Sequence, residues 1–326
     1  MKTWKILLAA CLLMGLTAAC DDDEPTPVVD PPTPTVAKLD STELWCERDG
    51  QRIYGRLYTK CAEGERVPAV ILAHSFSLTH AAMSGYARQL AEHGMAAYCF
   101  DFCGGSKDSK SDGNTADMTP FTELADLRAV LHTVRTLPCV EADSVYLMGS
   151  SLGGFVAALL AEEEPDLVRG LILFYPAFNM PDLVRQFASI GSGSWGDMGD
   201  AFGGSWGSWG DLGGSWGDLG SWGDLMGSMQ MSEAFINSVK DYDTWSHIGT
   251  YARPVLMVHG TKDIIVPISN SEKAVGLYPD AELVKIEGAN HGFNAANLGS
   301  MGSLMGGGTA NYDSEVMPHV FRFVKR

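Results

Sequence analysis

The stretch Val145-Tyr146-Leu147-Met148-Gly149-Ser150-Ser151-Leu152-Gly153-Gly154-Phe155-Val156-Ala157-Ala158-Leu159-Leu160 decides the reading of this chain. An apolar run of strand length meets two serines set between glycines, and a second apolar run follows. Strand, tight turn and helix in that order put Ser151 on a strained turn, with its hydroxyl pushed out above the sheet edge. Gly149 and Gly153 leave room for the strand and the helix to approach closely. The same G-x-S-x-G spacing recurs at Gly203 to Gly207 and at Gly213 to Gly217. Neither copy follows an apolar strand or leads into an apolar helix, so context selects Ser151 as nucleophile and rejects Ser205 and Ser215. The competing reading of the Ser151 turn is a Gly-rich corner that only packs a helix on a sheet.

Outward from this turn, strands and helices alternate. Glu43 to Tyr58 reads as two antiparallel strands turning at Asp49-Gly50. Val67 to Ala73 and Met95 to Phe102 are short apolar runs suited to buried strands, with helical spacing over Ala81 to His93 between them. A polar loop runs from Gly104 to Met118, and Thr119-Pro120 has the form of a helix start, with the helix reaching about Thr136. Further strands are expected at Leu171 to Tyr175, Pro254 to His259 and Ala281 to Ile286. Helices are expected around Ser271 to Leu277 and Val316 to Val324. This alternation predicts an α/β fold with a mainly parallel central sheet flanked by helices. The chain of 326 residues has room for one large domain of this kind or for two small ones.

A serine hydroxyl is a poor nucleophile at neutral pH and needs a base held by a third group. Of eight histidines, His291 stands in Gly288-Ala289-Asn290-His291-Gly292-Phe293, after the last expected strand. Its flanking glycines suit an exposed loop that carries the imidazole toward Ser151. His259 ends a strand before Gly260, where turn geometry is the usual role, and His80, His93, His132, His247 and His319 read as ordinary surface or core histidines. The acid is expected one strand earlier, in Gly260-Thr261-Lys262-Asp263-Ile264-Ile265-Val266-Pro267, which offers Asp263. Asp263 would hold the imidazole tautomer; its competing role is a turn or capping aspartate. Asp243 is the weaker fallback, because it precedes the strand. Backbone N–H donors for a tetrahedral oxyanion are expected at Leu152, after the nucleophile, and at Phe76, in the loop following Val67 to Ala73.

Jointly, His74-Ser75-Phe76, Phe100 to Ser106, Met148 to Gly154, Tyr175-Pro176-Ala177, Gly260 to Pro267 and Gly288 to Phe293 resemble the serine esterases of the α/β-hydrolase superfamily. The feruloyl (cinnamoyl) esterase-like branch is the nearest in pattern. The order Ser151, Asp263, His291 is the order expected of that superfamily. The resemblance covers about Glu43 to Arg326, apart from two Gly-rich stretches. It implies a carboxylic ester hydrolase with an acyl-enzyme intermediate and no metal or other cofactor. The substrate class would be small-molecule or polysaccharide-linked esters, including hydroxycinnamoyl esters. Two positions depart from the branch: Ser75 stands where glycine is frequent, and Leu152 where glutamine is frequent. Backbone donation survives both changes. A peptidase of the same superfamily is the related alternative. A surface binding protein on a hydrolase scaffold is the alternative of a different class.

Residues 191–229 break the alternation with Gly, Ser, Trp and Asp. Trp195, Trp206, Trp209, Trp216 and Trp222 recur without a fixed period, which excludes a solenoid. The Asp-Gly spacing fits neither an EF-hand loop nor a nonapeptide calcium repeat. The tract falls where an insertion can roof an active site, so it is either an aromatic lid over the acyl pocket or a low-complexity expansion without substrate contact.

The N-terminus reads as a secretory leader over residues 1–19, with Lys2 and Lys5 before the apolar core Ile6 to Leu16. That core is shorter than the roughly 20 apolar residues of a spanning helix. Leu16-Thr17-Ala18-Ala19-Cys20 resembles a bacterial lipobox, which implies lipidation at Cys20 and a membrane anchor in the cell envelope. Asp21-Asp22-Asp23-Glu24 resembles the surface-export signal of Bacteroidetes lipoproteins, implying outer-membrane attachment. Five prolines between Pro25 and Pro34 make residues 20–40 an extended tether to the domain at 41–326. The formal charge of −17 argues against nucleic acid as partner, since phosphate would be repelled. Beyond Cys11 and Cys20, the cysteines 46, 61, 99, 103 and 139 match no zinc spacing. In a two-residue-turn register Cys46 faces Ile53 rather than Cys61, so no bridge is expected there. Oligomeric state is not legible.

Overall fold

The computed structural model describes residues 39–190, 231–293 and 311–326. The expected leader, Cys20, the tether up to residue 38 and the insertion at 191–229 lie outside the described residues. Strands β1 (Asp40–Arg48) and β2 (Gln51–Thr59) form an antiparallel hairpin in which Cys46 pairs with Ile53, the register that the two-residue turn requires. Asp49 and Gly50 both take positive φ there, as that hairpin turn demands. β1 starts at Asp40, the last residue of the expected tether.

The remaining strands are β3 (Val67–Ala73), β4 (Ala96–Phe100), β5 (Val140–Ser150), β6 (Gly170–Phe174), β7 (Val255–Gly260) and β8 (Ala281–Ile286). The eight lie in the order β1-β2-β4-β3-β5-β6-β7-β8, and every pairing beyond β2–β4 is parallel. Strand residues alternate between two apolar layers. Ala69, Ile71, Leu147, Leu171 and Leu173 face one layer; Val70, Leu72, Met148, Ile172 and Phe174 face the other. Burial on both faces explains why these strands read as continuous apolar runs.

Helices α1 (Ser84–Glu92) and α7 (Asp313–Phe323) cover one face, and α2 (Pro120–Val134), α3 (Leu152–Glu163) and α6 (Ser269–Val275) the other. α4 (Met180–Ile190) and α5 (Glu233–Val239) flank the undescribed tract. The helix expected over Ala81 to His93 is divided: a 3₁₀ turn at His80–Met83 precedes α1. The start of α2 follows its sequence signal. Thr122 N–H donates to Thr119 Oγ1 at 3.0 Å and Thr119 N–H donates to Thr122 Oγ1 at 2.9 Å, with Pro120 in the first turn.

The sheet order sets where chemistry can occur. β3 leads to β4 on one side, and β5 leads to β6 on the other. The strand order therefore reverses between β3 and β5, and the connections splay apart at their carboxyl ends. Ala73 pairs with Gly149 across these two strands, so the His74–Phe76 segment and the Ser150–Leu152 segment emerge side by side into the crevice.

Candidate active site

Ser151 occupies the turn between β5 and α3 with φ 52° and ψ −116°, a backbone conformation rare for a residue with a side chain. The neighbouring glycines are required by contact. A Cβ on Gly149 would lie 2.2 Å from the Gly153 carbonyl oxygen, and one on Gly153 would lie 2.5 Å from the Ala73 and His74 carbonyl oxygens. Hydrogen bonds hold the turn. Ser151 N–H donates to the Phe174 carbonyl at 2.9 Å, and the Ser151 carbonyl accepts from Phe155 and Ala177 N–H at 3.1 and 3.0 Å.

Ser151, His291 and Asp263 come together although His291 lies 140 residues from the serine. His291 Nδ1 is 2.7 Å from Asp263 Oδ2, and His291 Nε2 is 3.1 Å from Ser151 Oγ. An ionised carboxylate only accepts, so the proton sits on Nδ1, and Nε2 is left to accept the Ser151 hydroxyl proton. The histidine loop was expected to be exposed; the imidazole is instead 2% exposed, with the Tyr175 ring 4.6 Å away. Phe293 anchors the far side of this loop among Phe174 and Tyr175.

Asp263 is buried and well supplied with donors. Its Oδ1 accepts from the Ile265 and Val266 N–H groups, both at 2.9 Å. Burial by itself would raise its pKa, but its electrostatic interaction with His291 and hydrogen bonds from His259 and His291 outweigh it, holding the carboxyl well below the usual range. His259 corrects the sequence reading. It is a buried strand residue that stands 3.2 Å from Asp263 Oδ2, and its ring also bonds Ser271 Oγ and the Val266 carbonyl. A histidine at a strand end is too common a pattern to have revealed that role. Asp243, the fallback acid, instead precedes a 3₁₀ turn at Thr244–Ser246. The loops that carry Asp263 and His291 are joined by Lys262 N–H to Ala289 carbonyl at 2.9 Å and Gly288 N–H to Thr261 Oγ1 at 2.9 Å.

Leu152 opens α3, so its N–H is among the leading donors that have no intrahelical partner. Phe76 lies in the turn after β3, its ring edge-on to Phe235 at 5.2 Å. The Ser75–Phe76 peptide is oriented by the histidine before it. Phe102 N–H donates to His74 Nε2 at 3.2 Å, so His74 carries its proton on Nδ1 and donates it to the Ser75 carbonyl at 2.8 Å. Burial lowers the His74 pKa and keeps this ring neutral. In a trans peptide the N–H points away from the carbonyl, so the Phe76 N–H is directed opposite to His74.

A cavity of about 270 Å³ lies between the start of α4 and the Asp241–Trp245 segment; Phe178, Arg185, Tyr242 and Trp245 line it, and Ser151 does not. Among the described residues no group of three or more His, Cys, Asp and Glu is placed to hold a metal. No helix there is long and apolar enough to cross a membrane.

A mainly parallel sheet that delivers a serine on a strained strand-to-helix turn at its order reversal has the α/β-hydrolase fold, and solved structures similar to this chain share it. Est1E from Butyrivibrio proteoclasticus with ferulic acid bound is 23% identical, covering 81% of this chain and 96% of that chain with a TM-score of 0.58. DcsB in complex with its substrate analogue is 21% identical over 88% of this chain and 99% of that one, with a TM-score of 0.62. An esterase (EaEST) from Exiguobacterium antarcticum is 17% identical over 87% and 100%, with a TM-score of 0.56. Residues 64–196 match the family described as Hydrolase_4, serine aminopeptidase, S33. An uncharacterized 31.7 kDa protein of the traX-finO intergenic region of Escherichia coli is 28% identical over 88 residues. That match spans 27% of this chain and 30% of that relative, so this chain covers under a third of the relative's length.

Proposed function

We propose that this protein is a serine carboxylic ester hydrolase working through an acyl-enzyme. The observation that carries the reading is the hydrogen-bonded series Asp263, His291, Ser151, at 2.7 and 3.1 Å. Ser151 Oγ attacks the ester carbonyl carbon while His291 Nε2 takes the hydroxyl proton. The carbonyl π electrons move onto oxygen, which the N–H groups of Phe76 and Leu152 stabilise. As the oxygen re-forms its double bond the alkoxide leaves, receiving the proton from His291. Water then attacks the acyl-Ser151 with His291 again as base, releasing the acid and restoring the serine. Asp263 stays ionised throughout and stabilises the imidazolium.

Hydroxycinnamoyl and other acyl esters of plant polysaccharide are the proposed substrates, supported by the likeness to ferulic-acid-bound Est1E and by the motif resemblance. The serine aminopeptidase description of the matching family favours a second reading, hydrolysis of an amide at a peptide N-terminus. The test compares a nitrophenyl ester, methyl ferulate and an aminoacyl anilide, using the chain with and without Ser151→Ala. Ester turnover is expected to fall by about 10³-fold or more in the variant. Retained turnover would remove Ser151 from the mechanism, and preference for the anilide would favour the peptidase.

A further inference from the structure

The Ser75 side chain makes contacts that no step of the proposed chemistry involves. Its hydroxyl is buried, 2.9 Å from Ser150 Oγ and 3.3 Å from the Ser150 carbonyl oxygen, to which it can donate. Ser150 is also buried, and its hydroxyl reaches Met83 Sδ at 3.5 Å. The Ser150 carbonyl belongs to the peptide that carries the nucleophile. The other end of that peptide, Ser151 N–H, is fixed by the Phe174 carbonyl. Ser75 therefore grips one end of the Ser150–Ser151 peptide and β6 the other.

The same residue faces the oxyanion side. The Ser75 carbonyl accepts from His74 Nδ1–H and from Leu78 N–H at 3.2 Å, which sets the direction of the Phe76 N–H. One residue thus joins the loop that presents an N–H donor to the peptide that presents the attacking oxygen. A glycine at this position would hold the Ser75–Phe76 peptide in the same way but would remove the side-chain contact to the Ser150 end of the nucleophile peptide.

We propose that Ser75 is a positioning residue whose hydroxyl fixes the spacing between the Phe76 N–H and Ser151 Oγ. This rests on the serine hydrolase reading above. Transition-state stabilisation depends on that spacing, whereas ground-state binding of the substrate does not.

The experiment uses the full chain and the variants Ser75→Ala, Ser75→Thr and Ser151→Ala. It measures kcat and KM on a nitrophenyl ester, the rate of covalent labelling by a fluorophosphonate, and thermal melting. Ser75→Ala is expected to lower kcat and the labelling rate by roughly tenfold, less than outright loss of an oxyanion donor, with KM unchanged. Ser75→Thr, which keeps the hydroxyl, is expected to recover most of both rates. A folded Ser75→Ala protein with wild-type kcat and labelling rate overturns the inference. So does a loss of rate that only follows a lowered melting temperature and is not recovered by Ser75→Thr. Ser151-dependent labelling with no effect of Ser75 sinks this inference alone. Wild-type protein that neither turns over ester nor is labelled at Ser151 sinks the hydrolase reading and this inference together.

Discussion

Asp263 divides its two oxygens between two tasks. Oδ1 accepts the Ile265 and Val266 N–H groups and shapes the loop, while Oδ2 faces His291 and His259. Asp263→Asn would keep the backbone bonds through its oxygen and turn an N–H₂ toward His291. A donor there favours the tautomer with the proton on Nε2, which cannot accept from Ser151. Ester kcat is therefore expected to fall by about 10⁴-fold with the fold intact by circular dichroism. A folded variant within tenfold of wild type would show that the tautomer is not set by this residue. At this scale the sequence was informative about Ser151, Asp263 and His291. Each is marked by its neighbours: an elbow between apolar runs, or a loop directly after a strand. His259 and Ser75 carried no such mark, because their roles exist only in contacts with residues that the fold brings near.

Helix α2 carries a cost that its pattern does not disclose. Glu123 is 1% exposed, and both its carboxyl oxygens lack a hydrogen-bond partner among the described residues. Burial, and then the charge of Asp126, push its pKa well above the ordinary 4.5. Asp126 differs, since Arg48 Nε donates to it at 2.5 Å and Cys103 N–H at 2.8 Å. Because folded Glu123 keeps its proton to higher pH than unfolded Glu123, the ionisation part of this cost is absent below the ordinary value. Stability is then lost as pH rises through the folded value. Glu123→Met removes the group at similar volume. The variant is expected to be more stable than wild type by about 1–3 kcal/mol at pH 8, and by less at pH 5. Urea unfolding at both pH values checks this, and a gain that is equal or larger at pH 5 would refute it. Here the sequence predicted the helix and its Thr119-Pro120 start but not the burial of Glu123. Burial depends on which helices pack over that turn.

For the whole molecule, stability rests on two apolar layers, one on each face of the sheet. The layer under α1 and α7 is closed by the C-terminal helix, where Val316, Met317, Val320 and Phe323 are all buried. Phe323 lies against Tyr146 with ring centroids 6.1 Å apart, and it leaves so little space that a Cβ on Gly170 would come within 3.1 Å of its ring. Phe323→Ala is expected to destabilise the domain by about 3–5 kcal/mol in urea unfolding while KM for the ester stays the same. A loss under 1 kcal/mol would mean that α7 is dispensable to this layer. The loops that carry Phe76, Ser151, Asp263 and His291 leave the opposite, carboxyl ends of β3, β5, β7 and β8, which is why packing at Phe323 and the chemistry proposed at Ser151 are expected to separate.

The sequence by itself determined the alternation of strands and helices, the tight turn at Ser151 and the placing of Asp263 and His291 on the loops that follow successive strands. These are local properties, set by apolar period, by glycine beside a tight turn and by the loop that follows each strand. Only the tertiary structure decided the strand order, the burial of His291, the second histidine on Asp263 and the Ser75–Ser150 contact. Those depend on pairings between segments far apart in the chain. A pairing of that kind is selected by the packing of the whole sheet, and neither partner's local sequence records it.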